Sequence, residues 1–284
     1  MARNEFAETL YDSYGQRFAI DEVCFESRTE VQHLLIFHNA KFGRVMALDG
    51  VVQTTQRDEF YYHEMLAHVP LFAHGQPRRV LIIGGGDGGL LREVVKHRSV
   101  EHVTKVEIDA AVVEMAKTWF PDHSRGAFDD PRFHLVIADG AEFVRTTEDP
   151  WDVIMIDSTD PIGPGEVLFS NDFYRQCQRI LAPGGIMVTQ NGVPFMQLDE
   201  VRKSARAFRD LFADWHFYGV AVPTYIGGMM TLGWATEDAG LRQLPLEVLE
   251  ERFASAEIDT RYYTPAIHRG AFALPRFVEE AIGK

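Results

Sequence analysis

Val80-Leu81-Ile82-Ile83-Gly84-Gly85-Gly86-Asp87-Gly88-Gly89 decides the fold of this chain. Four consecutive apolar residues that stop at glycine read as a strand buried on both faces, as in parallel sheets covered by helices. The glycines permit a tight turn and close approach of a ligand to the backbone, and they open a helix from about residue 88 to 97. The run matches G-x-G-x-x-G, yet Asp87 stands where a dinucleotide's pyrophosphate would need neutral backbone donors. A carboxylate there repels phosphate and attracts a cation. A glycine turn without any ligand is the plain alternative.

Downstream the alternation continues. Strands are expected at 103–108, 133–137, 151–156 and 185–190, with helices at 110–119, 141–146, 171–181 and 197–212. Residues 215–235 supply two last strands, expected to be antiparallel. Such alternation predicts an α/β fold, a doubly wound sheet with ligands at the carboxyl ends of its strands. Upstream the pattern differs. Runs at 34–37, 43–48 and 51–55 are separated by Asn39-Ala40-Lys41 and by Asp49-Gly50, and Asp-Gly between apolar runs signals a hairpin. This predicts a small N-terminal antiparallel β domain over 1–66, with a bridging helix at 58–69, and a doubly wound domain over 67–284.

The composition, 46% hydrophobic and 25% charged, is that of a globular protein and excludes disorder. A net charge of −14 repels nucleic acid and anionic lipid, so neither is expected as a partner. It suits cationic ligands, although acidity also serves solubility. Cys24 and Cys177 form neither a disulfide framework nor a zinc pattern, which fits a reducing compartment. The first five residues lack the apolar core of a signal peptide. The uncharged stretch 215–236 contains Pro223, Gly227 and Gly228 and reads as strands around a turn rather than a spanning helix. The expectation is a cytoplasmic protein.

Carboxylates recur at the strand ends. Glu107, in Val106-Glu107-Ile108-Asp109, can accept both ribose hydroxyl protons, while either it or Asp109 can cap the helix at Ala110. The favoured reading gives Glu107 to the ribose and Asp109 to the cap. Asp139, before Gly140, can accept from an adenine amino group or cap its own helix. The fourth strand ends in Ile156-Asp157-Ser158-Thr159-Asp160-Pro161-Ile162-Gly163-Pro164-Gly165. Two anions held close resist joint ionisation unless a cation sits between them, so an ammonium is the natural guest. Asp160, which precedes proline, can instead serve a turn. Tyr61, Tyr62 and His63 on the bridging helix, Gln32 and Gln53 in the small sheet, and Tyr225 can complete a pocket. Singly, each is more often a core or surface residue, and His63 a satisfied helix histidine.

Together these motifs resemble the polyamine aminopropyltransferase family, which includes the bacterial spermidine synthases. The resemblance covers nearly the whole chain, taking in Ala47-Leu48-Asp49-Gly50-Val51-Val52-Gln53-Thr54-Thr55, Arg57-Asp58-Glu59-Phe60, Gln190-Asn191-Gly192, Tyr263-Thr264-Pro265-Ala266-Ile267-His268 and Phe272-Ala273-Leu274-Pro275. It implies a Rossmann-like, methyltransferase-type sheet. It also implies transfer of an aminopropyl group from decarboxylated S-adenosylmethionine, as co-substrate, to putrescine, giving spermidine and 5′-methylthioadenosine. No prosthetic group or metal is implied, and the assembly expected is a homodimer or homotetramer. By the same resemblance Gln32, Gly84, Gly86, Glu107, Asp139, Gly140 and Pro164 would hold the donor. His63, Tyr62, Asp87, Asp160, Gln53 and Tyr225 would line the amine channel, Asp157 would accept the proton, and residues 158–169 would gate the site. Ile226 stands where members vary, which leaves acceptor length open. The rivals are a methyltransferase, which would have to seat a carboxylate near Asp87, and a polyamine-binding protein without catalysis.

Overall fold

The protein, studied as a computed structural model, is described over residues 4–159 and 163–284, with only the backbone of Gly163 and Pro164. Near the N-terminus β1 (Glu5–Ala7) and β2 (Arg17–Ala19) pair antiparallel. A second sheet follows the chain in order: β3 (Glu22–Arg28), β4 (His33–Asn39), β5 (Gly43–Leu48) and β6 (Val51–Thr55). The Asp49-Gly50 hairpin is present, and both residues hold positive φ, 48° and 84°, as a tight two-residue turn requires. Leu35 and Phe37 of β4 pack with Phe6, Phe18, Val45 and Val52. Leu34 and Ile36 face the other way, against Val112, Met115 and Phe120. Burial of both faces explains why β4 reads as one apolar run rather than an alternating one.

Helix α1 (Glu59–His74) then enters the core, with only Tyr61 and His74 not fully buried, as a helix surrounded by protein must be. The boundary expected at residue 66 falls inside this helix, which packs along the large sheet. The alternation continues with β7 (Arg79–Gly84), α2 (Gly89–Val95), β8 (His102–Glu107), α3 (Ala110–Trp119), α4 (Pro121–Ser124), β9 (Phe133–Ile137), α5 (Gly140–Thr146) and β10 (Trp151–Asp157). It closes with α6 (Asn171–Ile180), β11 (Leu181–Gln190), α7 (Pro194–Leu211), β12 (Asp214–Val220) and β13 (Met230–Thr236). The predicted start of α7 at residue 197 is where its helical geometry breaks, at Gln197.

Among the described residues the large sheet has the order β12-β13-β11-β10-β7-β8-β9. The strands from β11 to β9 run parallel, and β13 lies antiparallel to β11 and β12. Along β7, Val80 and Ile82 face the layer holding α1 and α2, while Leu81 and Ile83 face the layer of α6 and α7. The chain leaves β7 toward β8 on one side and later returns to β10 on the other. Such a reversal opens a crevice at the carboxyl ends of β7 and β10.

Three helices not read from the sequence, α8 (Leu246–Ala256), α9 (Pro265–Ala271) and α10 (Arg276–Ile282), close the fold. Buried Glu64 of α1 accepts backbone N–H groups of Arg261, Tyr262 and Tyr263 at 2.8–3.0 Å, which ties this segment to the core. Thr264 then caps α9, accepting from the Ile267 amide at 3.1 Å, with Pro265 in the first turn.

Candidate active site

The ends of β7, β8 and β10 deliver Gly84, Glu107 and Asp157 to one cavity of about 440 Å³. Gly86 and Asp87 follow β7, and Asp139 and Gly140 follow β9, so all four line it as well. The small sheet contributes Gln32 and Gln53, α1 contributes Tyr62 and His63, and the β12–β13 connection contributes Tyr225. Twelve of the fourteen residues to which the resemblance gives a site role therefore meet here, whereas Tyr61 does not line the cavity and packs against Tyr262 instead. Asp160 lies outside the described residues, and so does the side chain of Pro164.

The glycine turn is shaped around Asp157. Gly84 pairs with Asp157 across the strands, and the Gly85 amide donates to the Asp157 carbonyl at 2.9 Å. Gly85 has a φ of 66°, and any side chain on it would collide with the Asp157 carboxylate. The Tyr62 hydroxyl donates to Asp157 Oδ1 at 2.8 Å. Burial, joined by the nearby charge of Asp87, raises the Asp157 pKa, opposed by His63, Tyr62 and Lys105. A carboxyl above its ordinary range is a stronger proton acceptor.

Glu107 is likewise raised by burial, although it accepts the Asp109 amide through Oε1 at 3.1 Å. Asp109 caps α3, accepting from Ala111 at 3.0 Å, as expected, and its other oxygen takes the Gln32 amide at 3.1 Å. Asp139 takes the capping role of its two readings. Its Oδ1 caps α5 through the Ala141 and Glu142 amides at 2.8 and 3.1 Å, and the residue still lines the cavity.

On the opposite wall the Tyr225 hydroxyl donates to the Gln53 carbonyl at 2.6 Å, and its ring meets that of Tyr62 edge-on at 6.1 Å. Asp87 accepts the Gly89 amide at 2.9 Å and lies 3.3 Å from His63 Nε2. Against its burial, His63 holds Asp87 well below the usual carboxylate range. His63 Nδ1 contacts Glu59 at 2.7 Å. Burial alone would lower the His63 pKa, yet Asp87 and Glu59 push it up to about 10. His63 is thus both the satisfied helix histidine and a cavity residue.

Three supports were missed in the sequence. Lys105, fully buried under the glycine turn, donates to the Gly85 carbonyl. Asp58 accepts the Thr224 amide and hydroxyl at 2.9 and 2.7 Å and so anchors the loop that carries Tyr225. Arg92 grips Glu59. Only the i,i+4 spacing of Glu59 and His63 was a local signal. Among the described residues no helix is long and apolar enough to cross a membrane, and no group of three or more His, Cys, Asp or Glu could hold a metal ion.

Comparisons with known proteins show the family. Residues 59–243 match the spermine/spermidine synthase domain, and residues 6–56 match the spermidine synthase tetramerisation domain. The chain is 66% identical over 281 residues to polyamine aminopropyltransferase 1 of Pseudomonas aeruginosa, covering 99% of this chain and 98% of that protein. It is 56% identical over 283 residues to the polyamine aminopropyltransferase of Salmonella newport, covering 99% of each. A spermidine synthase solved in complex with the transition state analogue AdoDATO superposes with a TM-score of 0.94 at 38% identity, covering 100% of this chain and 96% of that one. The spermidine synthase of Thermotoga maritima gives 0.91 at 36% identity, covering 100% and 95%. With both parts of the chain matched in order and the strand-end carboxylates gathered at the sheet's switch point, the chain belongs to the spermine/spermidine synthase family and is a polyamine aminopropyltransferase.

Proposed function

We propose that this enzyme transfers the aminopropyl group of decarboxylated S-adenosylmethionine to putrescine, giving spermidine and 5′-methylthioadenosine. The observation that carries the reading is the convergence of Asp87, Glu107, Asp139 and Asp157 on one cavity at the switch point of the sheet. A donor with a sulfonium and an ammonium, together with a diamine acceptor, brings the cations that such a cavity favours. The likeness to a spermidine synthase bound to a transition state analogue supports the same reading.

In this reading Glu107 accepts from the ribose hydroxyls, and Asp139 turns the oxygen not used for capping toward the adenine amino group. Gln32, Gly140 and Pro164 complete the donor site, while Gly84 and Gly86 let the donor lie close to the backbone. Tyr62, Gln53, Tyr225, Asp87 and Asp160 serve the ammonium groups of donor and acceptor, and His63 belongs to the same amine channel through its contact with Asp87. A free alkylamine has a pKa of about 10.4, so presenting it neutral at pH 7 costs about 4–5 kcal/mol. The amine lone pair attacks the methylene carbon beside the sulfonium, a C–N bond forms as the C–S bond breaks, and sulfur leaves as a neutral thioether. The proton shed by the attacking nitrogen goes to Asp157, whose burial makes it a better acceptor. Holding both reactants in line supplies much of the acceleration.

The proposed assembly is a homodimer or homotetramer, supported by the match of residues 6–56 to a tetramerisation domain. The proposed location is cytoplasmic, supported by the two free cysteines. Product analysis tests the activity: decarboxylated donor with a panel of diamines should yield methylthioadenosine and, with putrescine, spermidine. Methylation from intact S-adenosylmethionine, or binding of amines without turnover, would overturn it. The same panel reads acceptor length at Ile226, which lines the cavity.

A further inference from the structure

A line of buried charges leaves the cavity and enters the core between α1 and α2. Asp87 meets His63 Nε2 at 3.3 Å, and His63 Nδ1 meets Glu59 at 2.7 Å. Arg92 of α2 takes both oxygens of Glu59, at 2.8 and 3.1 Å, in a bidentate pair. Arg92 is held in turn by Glu93 at 2.6 Å and by the His123 carbonyl at 2.7 Å. The most exposed of these side chains, Asp87, is only 9% accessible. The His63 ring is also confined sterically, because a side chain on Gly89 would run into it. Glu59 and Arg92 do not line the large cavity, and the transfer reaction described above does not use them.

We propose that Glu59, locked by Arg92, is a positioning residue that clamps His63 against Asp87 and thereby fixes the charge the cavity presents to a cationic substrate. The proposal rests on the amine-transfer reading. A ring with a carboxylate at each nitrogen carries a hydrogen on both, so His63 is an imidazolium and offsets the charge of Asp87. The other titratable groups near this ring are Tyr62 on α1, His123 on α4 and Asp157 on β10, with Arg92 behind Glu59 and Lys105 on β8 behind Asp87. Burial raises Tyr62 and pushes His123 down to about 4, so both stay neutral near pH 7. Without the Glu59 charge the ring loses its proton at lower pH, and Asp87 then faces the substrate unopposed. Cation binding should tighten as pH rises through that step.

Steady-state kinetics of the full chain with putrescine, from about pH 6 to pH 9, test this with the parent, Glu59→Gln, His63→Gln and the double variant. Glu59→Gln should show an inflection absent from the parent, across which KM falls about three- to tenfold further, with a smaller change in kcat. The inflection should vanish in the double variant. A parental profile for Glu59→Gln, or an inflection that survives loss of His63, would overturn the proposal. Ring nitrogen NMR of the parent gives a check that needs no variant to fold. His63 should remain an imidazolium up to about pH 8.5, given a pKa near 10, and a ring that titrates below pH 7 overturns the clamp. A parent that makes no methylthioadenosine would instead defeat the transfer reading, and the ring titration would still decide the clamp.

Discussion

Two groups of buried carboxylates lie side by side in this protein, and their pKa values move in opposite directions. Burial pushes all of them upward. Glu59, between His63 and Arg92, nevertheless falls to about 2, and Glu93, among His68, Arg92 and Lys96, falls well below the usual range. Asp157 and Glu107, in the cavity, stay raised. The difference is the supply of cations. Behind α1 each carboxylate has at least two, whereas in the cavity Lys105 is shared by Asp87, Asp157 and Glu107 and its ammonium rests on a carbonyl. Complete pairing belongs to the fold. Incomplete pairing leaves negative charge for a ligand to answer.

The sharpest way to break this contrast is to remove Asp157. Asp157→Asn should lower kcat by roughly 10²–10⁴-fold, the span expected for a lost proton acceptor. The fold should not suffer. A carboxylate whose pKa is raised in the folded state costs stability at neutral pH, so the variant should unfold at the same or a higher temperature. The acid limb of kcat/KM in the parent should also lie above the usual carboxylate value of about 4. A variant within about threefold of the parent in kcat would remove Asp157 from the role of base.

Glu59→Gln should do the reverse to stability. A depressed carboxylate contributes stability that is present above its unfolded value and lost as pH falls through its folded value. A shift from about 4.3 to about 2 corresponds to ~3 kcal/mol. His63, raised to about 10, contributes below its unfolded value of about 6.5 and loses that contribution as pH climbs to about 10. The destabilisation by Glu59→Gln in denaturant titrations should therefore be near its full size from about pH 5 to 6.5 and shrink toward pH 2. An equal loss at pH 2.5 and pH 6 would show that packing, and not charge pairing, explains the residue.

The contrast also separates what was legible in the sequence from what was not. The large sheet was legible because its central strands β7 and β10 are apolar runs buried on both faces, and α3 and the more exposed edge strand β9 have the bounds read from the pattern. The strand-end acids were legible for the same reason, since each follows a recognisable strand. The small sheet was read only in part. β1 and β2 are three residues long with one buried position each, and β3 is mostly exposed or half-buried, so no periodicity marks them. Helix α1 ran on past its predicted end because Pro70 is accommodated within it. The pairing behind α1 was not legible at all. Glu59 and Arg92 are 33 positions apart and Asp58 and Thr224 are 166 apart, and only the folded layers bring them together.

Glu107→Gln tests the cavity side at the donor. It keeps the shape but removes the charge from the proposed ribose bonds, so methylthioadenosine should lose about 1–3 kcal/mol of affinity. Glu107 already accepts the Asp109 amide, which gives the competing explanation a definite form. Calorimetry that finds unchanged affinity would assign Glu107 to that turn alone.

Asp87 stands between the two groups, and its substitution should have the smallest effect of the four. A bare carboxylate beside the donor's ammonium would be worth about 1.5–3 kcal/mol, as for other hydrogen bonds to charged groups. This one is not bare, because His63 sits 3.3 Å away and the Gly89 amide takes its other oxygen. Asp87→Asn should therefore weaken the decarboxylated donor by only ~0.5–1.5 kcal/mol, about two- to tenfold, and leave methylthioadenosine, which has no ammonium, unchanged. Intact S-adenosylmethionine carries a further carboxylate beside that ammonium, so the parent should bind it more weakly than the decarboxylated donor, and Asp87→Asn should narrow the gap. The cost of Asp87→Asn should grow in the Glu59→Gln background above neutral pH, where His63 no longer offsets the charge. That non-additivity is the signature of residues acting as one unit. Titration of the three ligands against these proteins decides it: strict additivity would separate Asp87 from the clamp, and a parent that prefers intact S-adenosylmethionine would contradict aminopropyl transfer itself.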